Sequence, residues 1–163
     1  MKCKALLIML TLLCSGATTQ AQVRFFDDPD TSIDMDIEAK SKSAILKLAT
    51  YSRTSHIATE TLVITFMNDS VIQLDTFVNR VDNRAINTDV GHGFADRIIS
   101  RVMARLSPEQ AEMFRLGIKS IQITMMPKTF YHEWETDELG IPLYQRYLKS
   151  KENVMFKKKK KKE

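Results

Sequence analysis

The stretch TETLVITFMNDSVIQLDTFV, residues 59–78, contains two runs rich in β-branched and aromatic residues around Asn68-Asp69-Ser70. Such runs, separated by turn-forming residues, predict a β-hairpin. Because strand side chains alternate with a period of two, a one-residue slip would turn every apolar residue to the wrong face. We therefore predict a three-residue loop at 68–70. Its pairs are Phe66 with Ile72, Ile64 with Leu74 and Leu62 with Thr76, while Thr65 and Gln73 share the other face.

Two further runs, one before and one after the hairpin in the sequence, are strand candidates. Residues 44–51 carry Ile45, Leu46 and Leu48 and predict another strand. Residues 96–106 fit both a helix and a strand, because either spacing gathers their apolar side chains on one face. Strand is the prediction, since the β-branched content suits it and a new helix begins directly afterwards.

That helix begins at Ser107-Pro108-Glu109-Gln110, with serine as the N-cap, proline at the first helical position and glutamine three residues after the cap. Gly117 is the matching end. Residues 121–125 then alternate apolar and polar up to Pro127, which predicts a strand that ends at the proline.

The C-terminal part predicts an irregular or edge segment and a second helix. Residues 128–140 are aromatic and acidic, and packing is the favoured interpretation of Phe130, Tyr131 and Trp134, with stacking on sugars as the alternative. Pro142 opens the helix, whose apolar side holds Leu143, Tyr144, Tyr147, Leu148 and Met155.

These elements predict an α+β fold, with an antiparallel or mixed sheet of four to five strands and two helices. The single domain is expected to cover residues 44–156. Residues 82–95, which carry Asn83, Asn87, Asp89, Gly91 and Gly93, are predicted to form a loop inside it.

The first 21 residues predict a secretory signal peptide. Two early lysines precede a short apolar run, and small residues end it at Ala21, so the mature chain would begin at Gln22. Both cysteines, Cys3 and Cys14, lie in this leader, and the mature chain would have no thiol. A lipid-modified Cys14 is the less favoured alternative.

Residues 22–43 form a polar segment with six carboxylates between Asp27 and Glu38. Alternating acids suit calcium, but the glycine and spacing of the known calcium loop are missing. A solvated linker is the prediction. The alternation of Ile33, Met35 and Ile37 leaves a short strand as the other interpretation.

The positive charge is concentrated at the C-terminus. The leader holds two of the 24 basic residues and none of the 20 acidic ones, so the mature chain carries +2; without residues 157–163 it has 16 basic and 19 acidic residues, or −3. A nucleic-acid footprint on the fold is therefore not expected. The candidate polyanion contact is the tail at 157–163, which we expect to be disordered beyond the helix and to touch anionic membrane weakly. Its lysines are Lys157, Lys158, Lys159, Lys160, Lys161 and Lys162. A solubilising end, or a repeated lysine run with no selected role, is the equally favoured alternative, since the acidic body has no companion basic patch.

No catalytic, cofactor-binding or metal-ligating residue is predicted. His56, His92 and His132 are far apart and lack the spacing of a metal pair. Ser70 and Ser107 fit a turn and a cap. The alternative hypothesis is a hydrolase whose acid and base come from the loop that holds Asp89, His92 and Asp96.

The leader that ends in Ala-Gln and the segment SPEQAEMFRLGIKSIQI, residues 107–123, resemble short exported proteins of unknown function from gut Gram-negative bacteria. The resemblance covers roughly residues 60–150. It implies an extracytoplasmic α+β domain and brings no active-site residue with it. We therefore expect an exported, non-enzymatic binding or interaction module whose partner is an envelope protein or a glycan.

Overall fold

The computed structural model describes residues 21–25, 28–52, 59–89, 94–126 and 128–159. They form nine strands in two antiparallel sheets, two α-helices and a 3₁₀ turn at Phe114–Leu116. One sheet has five strands in the order β1-β2-β3-β7-β6, and the other has four in the order β5-β4-β8-β9. The bounds are β1 Ala21–Phe25, β2 Asp28–Ala39, β3 Ala44–Ser52, β4 Thr59–Phe66, β5 Val71–Leu74, β6 Phe77–Asp89, β7 Phe94–Leu106, α1 Pro108–Met113, β8 Ile118–Met125, β9 Lys128–Glu133 and α2 Gly140–Lys159.

The α+β class with two helices and sheets of four to five strands is confirmed. The second sheet goes beyond the sequence prediction. The inner faces of the two sheets contribute to one core, and the Thr50 hydroxyl contacts the Met125 sulfur across it at 3.6 Å. No helix among the described residues has the length and apolar character needed to cross a bilayer.

The β4–β5 hairpin has the predicted odd loop and buried face, but its loop lies one residue earlier. Phe66 N–H donates to the Ser70 carbonyl at 2.9 Å, so the loop is 67–69, with Asp69 at φ 63°. The pairs consequently shift by two residues, and Leu62 lies opposite Leu74 instead of Thr76. The predicted face is still the buried one, because a shift of two residues leaves each side chain on the same face of the sheet.

The prediction that residues 22–43 form a solvated linker is wrong for 22–25 and 28–39, which form strands β1 and β2, while residues 26 and 27 lie outside the described part. Strand β2 pairs with β1 on one side and β3 on the other, and the strand interpretation of Ile33, Met35 and Ile37 is confirmed because all three are buried. The acidic residues suggested a linker, but they alternate with these apolar residues along the strand. Acids on one face of a strand are compatible with a buried opposite face.

The prediction of a loop at 82–95 is also wrong for 82–89 and 94–95, while residues 90–93 lie outside the described part. Strand β6 runs to Asp89 and pairs with β7 from Phe94 onward, and a bulge between Asp82 and Ala85 accommodates the irregular composition. The strand prediction for 96–106 is confirmed. In that strand Ser100, Val102, Ala104 and Leu106 lie buried.

Both helix starts are fixed by side chains. Ser107 and Gln110 form the predicted capping box. At α2 the Asp137 carboxylate accepts backbone N–H groups from Ile118 at 2.7 Å, Gly140 at 2.6 Å and Ile141 at 2.8 Å. Gly140 is required here because an added Cβ would lie 2.6 Å from the Ile118 nitrogen. Asp137 thereby connects α2 to the first residue of β8.

Helix α2 covers the part of the β2 edge that β1 leaves open. The Ala39 N–H donates to the Ser150 hydroxyl at 2.7 Å, which satisfies an edge amide that lies beyond the last β1–β2 pair. The helix then continues through Lys159. The prediction of a disordered tail after Phe156 is therefore wrong for 157–159, since lysine is a good helix former; residues 160–163 lie outside the described part.

Candidate functional site: a groove between the five-stranded sheet and helix α2

The outer face of the five-stranded sheet carries a regular array of polar side chains. On β3, Ala49 pairs with Asp34 of β2 and with Arg101 of β7. Two residues away, Lys47 pairs with Asp36 and Met103 in the same way. Because residues that are two apart share a face, acids line the β2 side and bases lie on β3 and β7.

Helix α2 raises one wall beside this array. Arg146, Lys149, Ser150 and Asn153 of the helix line a groove of about 730 Å³ together with β2, β3 and β7. Ala49 has the smallest side chain among the residues that line the groove. The volume falls within the range of small-molecule and oligomer sites, about 300 to 1,000 Å³.

The acids at the rim are already engaged by bases. Lys47 Nζ lies 2.7 Å from a Glu38 carboxylate oxygen, and Lys40 contacts the other oxygen. Hydrogen bonds from Lys40 and then Lys47 lower the pKa of Glu38. Arg146 lies 3.8 Å from Asp36. Such exposed pairs are worth about 0 to 1 kcal/mol, so a ligand can replace either partner at small cost.

The groove floor is more enclosed. Asp34 is only 8% exposed, and its Oδ1 has no hydrogen-bond partner among the described residues. Burial, followed by the charge and hydrogen bond of Asp34, raises the pKa of the Tyr51 phenol, while Arg101 acts in the opposite direction. The phenol therefore stays protonated at neutral pH.

This arrangement offers donors and acceptors within one groove. The ammonium and guanidinium groups of Lys47, Arg101, Arg146 and Lys149 can only donate, and the carboxylates can only accept. The Met103 side chain and the Tyr51 ring add apolar surface. A ligand whose groups both donate and accept, above all hydroxyls, fits this chemistry.

The structure does not test the alternative hydrolase. His92 and the side chains of Asp89 and Asp96 lie outside the described part of the chain. The backbones of the two aspartates belong to strands β6 and β7, and not to the irregular loop that the sequence predicts. Ser70 and Ser107 have the structural roles that the sequence predicts. Ser70 bonds to Asn68 in the turn, and Ser107 caps α1.

The other sequence candidates are dispersed. His132 lies on β9 with its ring centroid 4.3 Å from that of Trp134, and His56 lies outside the described residues. Among the residues described, no three metal-ligating side chains come together. Phe130 is buried and Trp134 packs against the core, as the packing interpretation predicts, whereas Tyr131 is half exposed.

Sequence reasoning missed the groove because it assigned the acids of β2 to a linker. The available signal was their spacing of two, which matches Ile33, Met35 and Ile37 on the opposite face. The opposing Lys47 could be found only from the register between β2 and β3.

Comparison of the chain with protein-family models, with curated proteins and with solved structures finds no match. The resemblance to short exported proteins of gut Gram-negative bacteria stays a prediction.

Proposed function

We propose that the protein is an exported, non-enzymatic binding module, and that the groove between α2 and the outer sheet face binds a glycan. The observation that carries the proposal is the array around Ala49, where a small residue lies among acids, bases and a tyrosine on three adjacent strands. Export rests on the leader at residues 1–21, of which residues 1–20 lie outside the described part.

The groove is built on rigid elements, which supports a binding role. Its floor consists of three paired strands, and its wall is held by the Ser150 contact to Ala39 at one point and by the Asp137 cap at the start of the helix. A preformed site loses little conformational entropy when a ligand binds. Binding therefore requires only the exchange of exposed ion pairs for ligand hydroxyls.

The accessible charges of the groove favour a ligand that carries hydroxyl groups. The bases can only donate and the carboxylates can only accept, and a sugar hydroxyl does both. A peptide offers these functions on separate N–H and C=O groups, so we propose a glycan and not an envelope protein as the ligand. The Asp34 Oδ1 itself is buried and out of a ligand's reach.

The experiment uses an array of bacterial surface oligosaccharides and the chain that begins at Gln22. We expect selective binding that Ala49→Trp abolishes, because the indole fills the groove without removing a polar contact. The double variant Lys149→Ala, Asn153→Ala should weaken binding about tenfold, or about 1.4 kcal/mol. Gln145→Ala, an exposed change on the same helix that does not line the groove, is the matched control.

A result in which Ala49→Trp binds the same glycans as the native protein would contradict the groove as the site. Binding of an envelope protein that Ala49→Trp abolishes, with no glycan bound, would keep the groove and change the ligand class. Turnover of a bound glycan into cleaved products would contradict the non-enzymatic role.

A further inference from the structure

Helix α2 exposes apolar side chains from Leu148 onward, where most surface helices carry polar ones. Leu148, Met155 and Phe156 are 39%, 53% and 66% exposed. They account for three of the nine large hydrophobic residues that are exposed in the described part of the chain, and all lie within nine residues of one another on α2. We call Leu148, Met155 and Phe156 the apolar flank.

The apolar flank is continuous with the lysine run. The helix that presents Met155 and Phe156 continues through Lys159, and the sequence places six consecutive lysines at 157–162. Apolar residues that adjoin several lysines are the composition of segments that lie in the interface of an anionic bilayer. Lysines draw the segment to the surface, and the apolar side chains enter the headgroup region.

The geometry points to docking of α2, from Leu148 onward, on an anionic lipid membrane, through the apolar flank and the lysine run together. This inference goes beyond the glycan site and does not rest on it. Anionic lipid is favoured over a free polyanion because electrostatics alone would leave the exposed Met155 and Phe156 without a role.

Two of the three apolar residues lie on the side of α2 that faces away from the groove. Leu148 and Met155 are seven residues apart and so share one side of the helix, whereas Arg146, Lys149 and Asn153 line the groove. At 3.6 residues per turn Leu148 and Met155 lie roughly 140° around the axis from the groove-lining residues, whereas Phe156 lies only about 20° from Lys149. Contact through Leu148 and Met155 therefore falls on the side of α2 away from the groove, and contact through Phe156 falls beyond Asn153, the last lining residue.

One residue opposes docking and provides a sensitive test. Glu152 is exposed and lies between Met155 and Phe156 when the helix is viewed along its axis. A carboxylate there is repelled by anionic lipid. Glu152→Gln should therefore tighten binding, and loss of fold cannot produce such a gain.

The test is sedimentation with vesicles of phosphatidylcholine alone or with about one-third phosphatidylglycerol, using the chain from Gln22 so that the apolar leader is absent. We expect binding only to the anionic vesicles, weakened by salt but retained in part at about 0.15 M ionic strength. Replacing all six lysines by glutamine should reduce binding at least tenfold, and Glu152→Gln should strengthen it about two- to fivefold.

The apolar contribution is tested by Met155→Ser, Phe156→Ser, which should remove the binding that persists at the higher salt. Val71→Ser, Met126→Ser is the matched control, because it removes two residues that are 54% and 49% exposed elsewhere on the surface. Equal binding to both vesicle types would overturn the inference. So would a Met155→Ser, Phe156→Ser variant that binds as well as the control, which would reduce the lysines to a contact with any polyanion.

Discussion

Removal of the Asp137 carboxylate should destabilise the whole fold, although the residue lies outside every strand and helix. Its two oxygens accept backbone N–H groups from Ile118, Leu139, Gly140 and Ile141. The Ile141 N–H lies in an exposed position and can hydrogen-bond to water when the carboxylate is removed. Ile118 is buried, and in the variant Asp137→Ala its N–H would lose its carboxylate acceptor.

The expected loss is about 2 to 4 kcal/mol in the free energy of unfolding. A lost helix N-cap costs about 0.5 to 2 kcal/mol, and a buried donor left without its charged acceptor costs about 1 to 3 kcal/mol. Asp137→Asn keeps one oxygen and should lose about half as much. Glu138→Ala changes the adjacent exposed carboxylate and is the matched control.

Urea unfolding followed by circular dichroism measures the loss. If the Asp137→Ala and Glu138→Ala proteins had the same unfolding midpoint, the reasoning would be refuted. The four N–H groups would then form hydrogen bonds with water that are as favourable as those with the carboxylate. A change in the slope of the transition would indicate that α2 has detached before the sheets unfold.

The remaining predictions concern the core, the groove floor and export. Phe66→Ala should cost about 3 to 5 kcal/mol in urea unfolding, because the ring is fully buried and packs edge-on against Phe114 at 5.6 Å, whereas Thr65→Ala should cost far less. Tyr51 should ionise above pH 10.0, so its neutral form is favoured by folding and stability falls as pH rises through that value; tyrosinate absorbance of native and Tyr51→Phe proteins checks this, and identical curves would contradict it. The intact mass of the exported protein should correspond to a chain that starts at Gln22, and a lipid adduct on Cys14 would exclude this.

Local chemistry made several elements predictable. The capping box at Ser107 and Gln110 lies within four residues, and the apolar alternation at 62–74 places its buried face without knowledge of any partner strand. The choice of strand for 96–106 succeeded because the cap at Ser107 limited what could precede it. Each of these signals is complete within a short stretch of chain.

The failures depend on distant parts of the chain. Strand β2 is buried because its apolar face contributes to the core between the two sheets and α2 covers its edge, through contacts such as Ala39 with Ser150, 111 residues away in sequence. The hairpin loop shifted by one residue because Asp69 adopts a positive φ, which aspartate tolerates better than most residues. The groove needed both the β2–β3 register and the position of α2, and neither can be read from local patterns.

Mapping amide chemical shifts while the best-bound oligosaccharide is added tests the groove most directly. We predict that the largest shifts fall on Asp34, Ala49, Arg101 and residues 146–153 of α2, and that Ala49→Trp removes them. Shifts centred on Phe130, Tyr131 and Trp134, with the β3 amides unchanged, would contradict it and place the ligand on the aromatic edge of the other sheet.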